Sequence, residues 1–163
     1  MSEAQETTTT PSNKKTILLV DIENAPKIGK QFVLEYLARK DCIKIVIVFA
    51  SNSVNFSLSE MFLMSKHLNN GRLVIHKMTK AGKNSADFGL SFFAGEMAGK
   101  YKPNEVTFKV VSNDSDLDYL TSILSGRGYK VDRMINKSTF TQPPQNNKKA
   151  LTVTDININQ KAS

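Results

Sequence analysis

The sequence predicts an α/β domain, a single parallel sheet with helices on both faces. Two observations carry this expectation. Short β-branched apolar runs recur along the chain, as in strands buried on both sides of a parallel sheet. Stretches with apolar residues at helical spacing separate them, so the order reads β-α-β-α-β-α-β-α-β.

The first expected strand is Thr16 to Val20, ending at Asp21. Ile28, Phe32, Val33, Tyr36 and Leu37 then mark one apolar face of a helix. Ile43 to Ala50 is the second strand. Ser57 and Glu60 form a capping-box pattern for the next helix, with Leu58, Met61, Phe62 and Leu68 expected inward. Arg72 to His76 is the third strand, after which Asn84 or Ser85 can cap a helix with Leu90, Phe93, Ala94 and Met97 inward. Thr107 to Val111 is the fourth strand. Asp114 can cap the helix after it, which carries Leu117, Leu120, Ile123 and Leu124 and stops at Gly126 and Gly128. Tyr129 to Asp132 is a brief fifth strand.

Residues 1–15 are polar and Thr-rich and read as a disordered tail. Residues 16–137 form the expected domain, and 138–163 a flexible C-terminal tail with a linker at 142–149 and a short apolar stretch at 151–158. The first 15 residues hold no apolar core of a signal peptide, and no run approaches the about 18 apolar residues of a membrane span. The expectation is a cytoplasmic protein without membrane contact. Cys42 is the single cysteine, so no intrachain disulfide forms, and a small buried residue is the simpler reading than a nucleophile. The net charge of +7 suits a polyanionic partner, although surface charge for solubility accounts for it equally well.

Asp21 follows the first strand, Asp114 and Asp116 follow the fourth, and Asp87 lies in the first turn of the helix after the third. In a parallel sheet all strand C-termini share one edge, so these carboxylates share it too. If the strand order is 3-2-1-4-5, strands 1 and 4 are neighbours at the point where the order reverses, where ligands bind. Clustered carboxylates repel and raise each other's pKa, and a hard cation such as Mg²⁺ or Mn²⁺ relieves this. Each aspartate taken alone is equally well a helix cap or a solvated first-turn acid.

Three segments, Leu18 to Asn24, Lys83 to Ala98 and Val110 to Leu120 continuing to Val131, resemble the PIN-like nucleases, in particular the NYN-type and related bacterial branch. The resemblance implies the sheet order 3-2-1-4-5 and a divalent-metal-dependent endoribonuclease acting on single-stranded RNA. It matches Asp21, Asp87, Asp114 and Asp116 to the family's acids and Asn24 to its polar residue after the first acid. Ser112 is expected to shape the turn, bond a carboxylate or touch RNA. Glu23 and Asp118 are ambiguous. Glu96 reads as solvated, so the further acid of some relatives is missing. Lys77, Lys80 and Lys83 after strand 3, with Lys27 and Lys30 after strand 1, are expected to hold RNA phosphates. Few aromatics are expected to be free to stack bases: Phe49 and Phe56 flank the loop after strand 2, and Phe49 reads as core. A non-catalytic RNA-binding or regulatory module on the same fold is the rival reading, and a homodimer or an inhibitory protein partner stays open. Glu23 stands where a haloacid-dehalogenase-like phosphatase wants a second Asp, and there is no Walker A motif.

Overall fold

The computed structural model describes residues 13–51 and 54–134. The segments read as a linker at 142–149 and a short apolar stretch at 151–158 lie outside the described residues, as do residues 1–12. Five strands, β1 (Lys15–Asp21), β2 (Cys42–Phe49), β3 (Leu73–Lys77), β4 (Val106–Val111) and β5 (Lys130–Met134), alternate with four helices among the described residues. These are α1 (Pro26–Leu37), α2 (Leu58–Asn69), α3 (Ser85–Lys100) and α4 (Asp118–Gly126). All neighbouring strands pair parallel, in the order β3-β2-β1-β4-β5. This is the sheet the resemblance implied.

The two-residue period of the strands sorts the core into two layers. Ile17 and Leu19 of β1, Val46 and Val48 of β2, and Val106, Phe108 and Val110 of β4 pack under α3 and α4. Leu18, Val20, Ile45, Ile47 and Val111 face the other way, against Phe32, Val33, Tyr36 and Leu37 of α1 and Met64 of α2. Burial on both faces explains the continuous apolar runs 17–20 of β1 and 45–49 of β2, whereas β4 alternates through Thr107 and Lys109, whose ammonium pairs with Asp132 at 3.0 Å.

The helices depart from expectation in four places. In α2, Leu58 is 86% and Phe62 82% exposed, Met61 and Leu68 are also exposed, and only Met64 is buried. The packed face instead runs Glu60, Met64, His67, at the spacing of successive helical turns. It is half polar because Lys30 pairs with Glu60 at 2.9 Å and Arg72 meets His67 at 3.2 Å. The expected capping box is present: Glu60 N–H donates to Ser57 Oγ at 3.2 Å and Ser57 N–H to Glu60 Oε2 at 2.8 Å. In α4, Leu120 and Leu124 are buried but Ile123 is exposed. Asp114 caps a 3₁₀ turn, Ser115–Leu117, rather than α4, which begins at Asp118 without a side-chain cap. Asn84 precedes α3 in a left-handed conformation (φ 69°) and also makes no capping bond.

Two glycines let helices approach the sheet beside the strand ends. A Cβ at Gly29 of α1 would lie 2.8 Å from Ile22 Cδ1, and one at Gly89 of α3 would lie 2.8 Å from both Met78 Sδ and Val48 Cγ1. Gly89 therefore sets how deeply the first turn of α3, with Asp87, seats against β2. Gly89→Val is expected to cost about 2 kcal/mol through overpacking, read as a lower urea midpoint at unchanged m-value.

Candidate active site

The register of the central strands builds the site. Val20 of β1 pairs with Val111 of β4, so the next residues, Asp21 at the end of β1 and Ser112 just past β4, lie side by side. Asp21 shares the parity of Ile17 and Leu19, and Ser112 that of Phe108 and Val110, which turns both side chains toward the α3–α4 layer. Ser112, completely buried, donates its hydroxyl to Asp21 Oδ2 at 3.1 Å and accepts the Asp114 N–H at 3.0 Å. Ser112 thus joins the end of β1 to the turn after β4, and its full burial leaves no exposed surface for the RNA contact expected of it.

Asp114 then accepts the Asp116 N–H on Oδ1 at 2.9 Å, which fixes the turn that carries both aspartates. From the opposite side α3 brings Asp87. One carboxylate oxygen from each of Asp87, Asp114 and Asp116 lies within 4.8 Å of the others. Asp21 stands next to this trio rather than in it, and with Glu23, Asn24, Asp87 and Asp114 it lines one polar recess.

The electrostatics follow from this crowding. Burial pushes the Asp21 carboxyl above its ordinary range, while hydrogen bonds from Ser112 and Asn24 pull it back. Asp87 is pushed up to about 6, first by burial and then by Asp114, Asp21 and Asp116, with Arg133 opposing. Its Oδ2 is buried and has no hydrogen-bond partner. A carboxylate that has one buried oxygen without a partner and two further carboxylates beside it is a poor arrangement for the protein alone. It fits an ion that takes oxygen ligands, and an all-carboxylate set suits Mg²⁺ or Mn²⁺ rather than zinc.

The remaining expected residues divide. Asn24 is exposed in the recess, and its backbone N–H donates to Asp21 Oδ1 at 3.4 Å. Glu23 borders the recess and accepts the Ser51 N–H. Lys27, Lys77, Lys80 and Lys83 are exposed. Lys30 is engaged elsewhere: its ammonium meets Glu60 at 2.9 Å, donates to Asn55 O at 2.8 Å and sits 5.2 Å from the Phe56 ring centroid. Glu96 pairs with Lys100 at 3.0 Å on the surface, and Asp118 faces Arg133 at 3.5 Å. Burial pushes the Cys42 thiol up to about 11, which removes it as a nucleophile.

Sequence reasoning missed Arg133. From β5 it donates through Nη2 to Ser112 O at 3.0 Å and Asp114 O at 2.8 Å, so it clamps the turn that carries the acids. It shares the parity of Val131, which packs in the α3–α4 layer. A cation at that parity near a strand's C-terminal end was the available signal.

No curated protein matches the chain. Among solved structures it is similar to a protein of unknown function from Vibrio parahaemolyticus, at 18% identity over 77% of this chain and 83% of that one, with a TM-score of 0.48. It is also similar to the ferredoxin-NADP+ reductase of Plasmodium falciparum, at 15% identity over 76% of this chain and 52% of that one, again with a TM-score of 0.48. Neither likeness bears on function. A family model described as PIN domain matches residues 15–134, from the first residue of β1 to the last of β5, and so takes in every strand and each of the clustered aspartates. This chain belongs to the PIN domain family.

Proposed function

We propose that this PIN domain is a divalent-metal-dependent endoribonuclease that cleaves single-stranded RNA at the aspartate cluster. The observation that carries the proposal is the convergence of Asp87, Asp114 and Asp116, one oxygen of each within 4.8 Å of the others, with Asp21 adjoining. These four residues would hold Mg²⁺ or Mn²⁺. The bound ion would supply a water of lowered pKa and a counter-charge for the scissile phosphate.

The chain's own groups do the rest. Ser112 and Asn24 hold Asp21 in one orientation. Arg133 fixes the backbone of the turn bearing Asp114, and Asp114 in turn orients Asp116. Lys77, Lys80 and Lys83, on and after β3, with Lys27 at the start of α1, would position phosphates without reading sequence.

The test is a cleavage assay on single- and double-stranded RNA and DNA with Mn²⁺, Mg²⁺ or EDTA. Wild-type protein is expected to cut single-stranded RNA only when a divalent ion is present. Asp21→Asn and Asp114→Asn should each lose that activity while keeping the wild-type circular dichroism spectrum. Undiminished cleavage by both variants would sink the assignment.

A further inference from the structure

The expectation that few aromatics are free to stack bases is overturned on the far side of the cluster. Phe88 of α3 is 73% exposed and Tyr119 of α4 is 77% exposed. Both line a groove of about 850 Å³ between these helices, within the range of about 300–1,000 Å³ for ligand clefts. Its wall along α3 is low because Ser91, Gly95 and Gly99 carry little or no side chain there.

Two features say what occupies it. The groove is continuous with the acidic recess: Asn84 and Asp87 line both, and Asp116 belongs at once to the groove and to the carboxylate trio. A strand whose phosphate sits at the carboxylates would therefore lie with its next nucleotides between α3 and α4. The groove also contains Arg127, at the C-terminal end of α4, a cation suited to a further phosphate. Exposed aromatic rings in one groove with a carboxylate of the phosphodiester site and an arginine suit a polynucleotide, in which every base offers a π-face. A duplex keeps those faces stacked inside itself and has none to offer.

We propose that the α3–α4 groove is a nucleobase-binding subsite, in which Phe88 and Tyr119 stack unpaired bases of the strand whose backbone lies at the aspartates. This deepens the nuclease reading and rests on it for the strand's direction of approach. It makes selection for single strands a property of two side chains that take no part in the chemistry.

The test is fluorescence anisotropy with a labelled 12-nucleotide single-stranded RNA and the matching duplex. The full-length Asp21→Asn protein is used in EDTA at low salt, with strand integrity checked on a gel. Phe88→Ala and Tyr119→Ala are each expected to weaken single-strand binding roughly tenfold, and together roughly a hundredfold. Duplex binding should stay unchanged, and Phe88→Tyr and Tyr119→Phe should keep wild-type affinity. Phe92→Ala, an equally exposed ring of α3 that does not line the groove, is the control and should bind as before. Equal affinity for single strand and duplex, an unaltered Phe88/Tyr119 double variant, or an equal loss in Phe92→Ala would each overturn the proposal. Because this readout needs neither metal nor cleavage, an inactive aspartate cluster would leave it standing, and an active cluster would not rescue it.

Discussion

Asp87→Asn is expected to raise the melting temperature of the metal-free protein while reducing divalent-metal-dependent cleavage at least about a hundredfold. The two effects have one cause. The Asp87 carboxyl is pushed up to about 6 by burial and by Asp114, Asp21 and Asp116, against about 3.9 in an unfolded chain. Between those pH values the folded protein binds a proton that the unfolded protein does not, so stability falls as pH rises from about 4 toward 6. Above 6 the penalty is fully present. Two pKa units correspond to an upper bound of about 2.7 kcal/mol. The side chain is only half-buried, and solvent screening reduces the expected gain to about 1 kcal/mol. For a domain of this size that is a rise of roughly 4 °C.

The pH dependence identifies the mechanism. The gain in Asp87→Asn should be present at pH 7.5 in EDTA and shrink toward zero near pH 4, where the wild-type carboxyl is protonated. Mn²⁺ should reverse the ranking at pH 7.5. An ion bound by the folded state stabilises it by mass action, and the asparagine variant loses a ligand. Differential scanning fluorimetry across pH, with and without Mn²⁺, reads all of this. A variant that melts below wild type in EDTA at pH 7.5 would show that Asp87 is stabilising where it stands and that no ion is needed to relieve it.

The strands were legible because β1 and β2, buried on both faces, hold the apolar runs 17–20 and 45–49, and β4 alternates Val106, Phe108 and Val110 with Thr107 and Lys109. The pairing of Asp21 with Ser112 was also within reach, since both follow the parity of the core residues before them. The strand order came from the resemblance, because periodicity alone does not say which strands are neighbours. Three things stayed hidden, each for a physical reason. The packed face of α2 holds Glu60 and His67, and an apolar pattern cannot find a face whose polar groups are satisfied by Lys30 and Arg72. Arg133 lies in Lys130–Met134, a short strand with two charged residues in its interior that reads as surface. Phe88 and Tyr119 stand beside aspartates at spacings that a helix can point either inward or outward, so their exposure is decided by the width of the α3–α4 groove.

Arg72→Ala is expected to destabilise the protein by about 3 kcal/mol. Arg72 stands at the entrance to β3, where it gathers the ends of three elements. Its Nε donates to Cys42 O at 2.7 Å, Nη1 to Leu37 O at 2.9 Å, and Nη2 to Tyr36 O at 3.1 Å and Arg39 O at 2.6 Å. Tyr36 and Leu37 close α1 and Arg39 follows its cap, where helix carbonyls lose their usual partners four residues on; Tyr36 O also accepts the Arg39 N–H at 3.1 Å. Hydrogen bonds to a charged donor contribute about 1.5–3 kcal/mol each when buried. Water can replace part of this at the half-buried Arg72, so the sum is well below four full bonds. A cation at a helix C-terminus adds a favourable term. Arg72→Lys should recover less than half of the loss, because one ammonium cannot span carbonyls that a planar fork reaches in several directions. Urea unfolding of the three proteins checks this: a lysine variant as stable as wild type would mean that charge, and not the geometry of the guanidinium, holds α1 to β2 and β3.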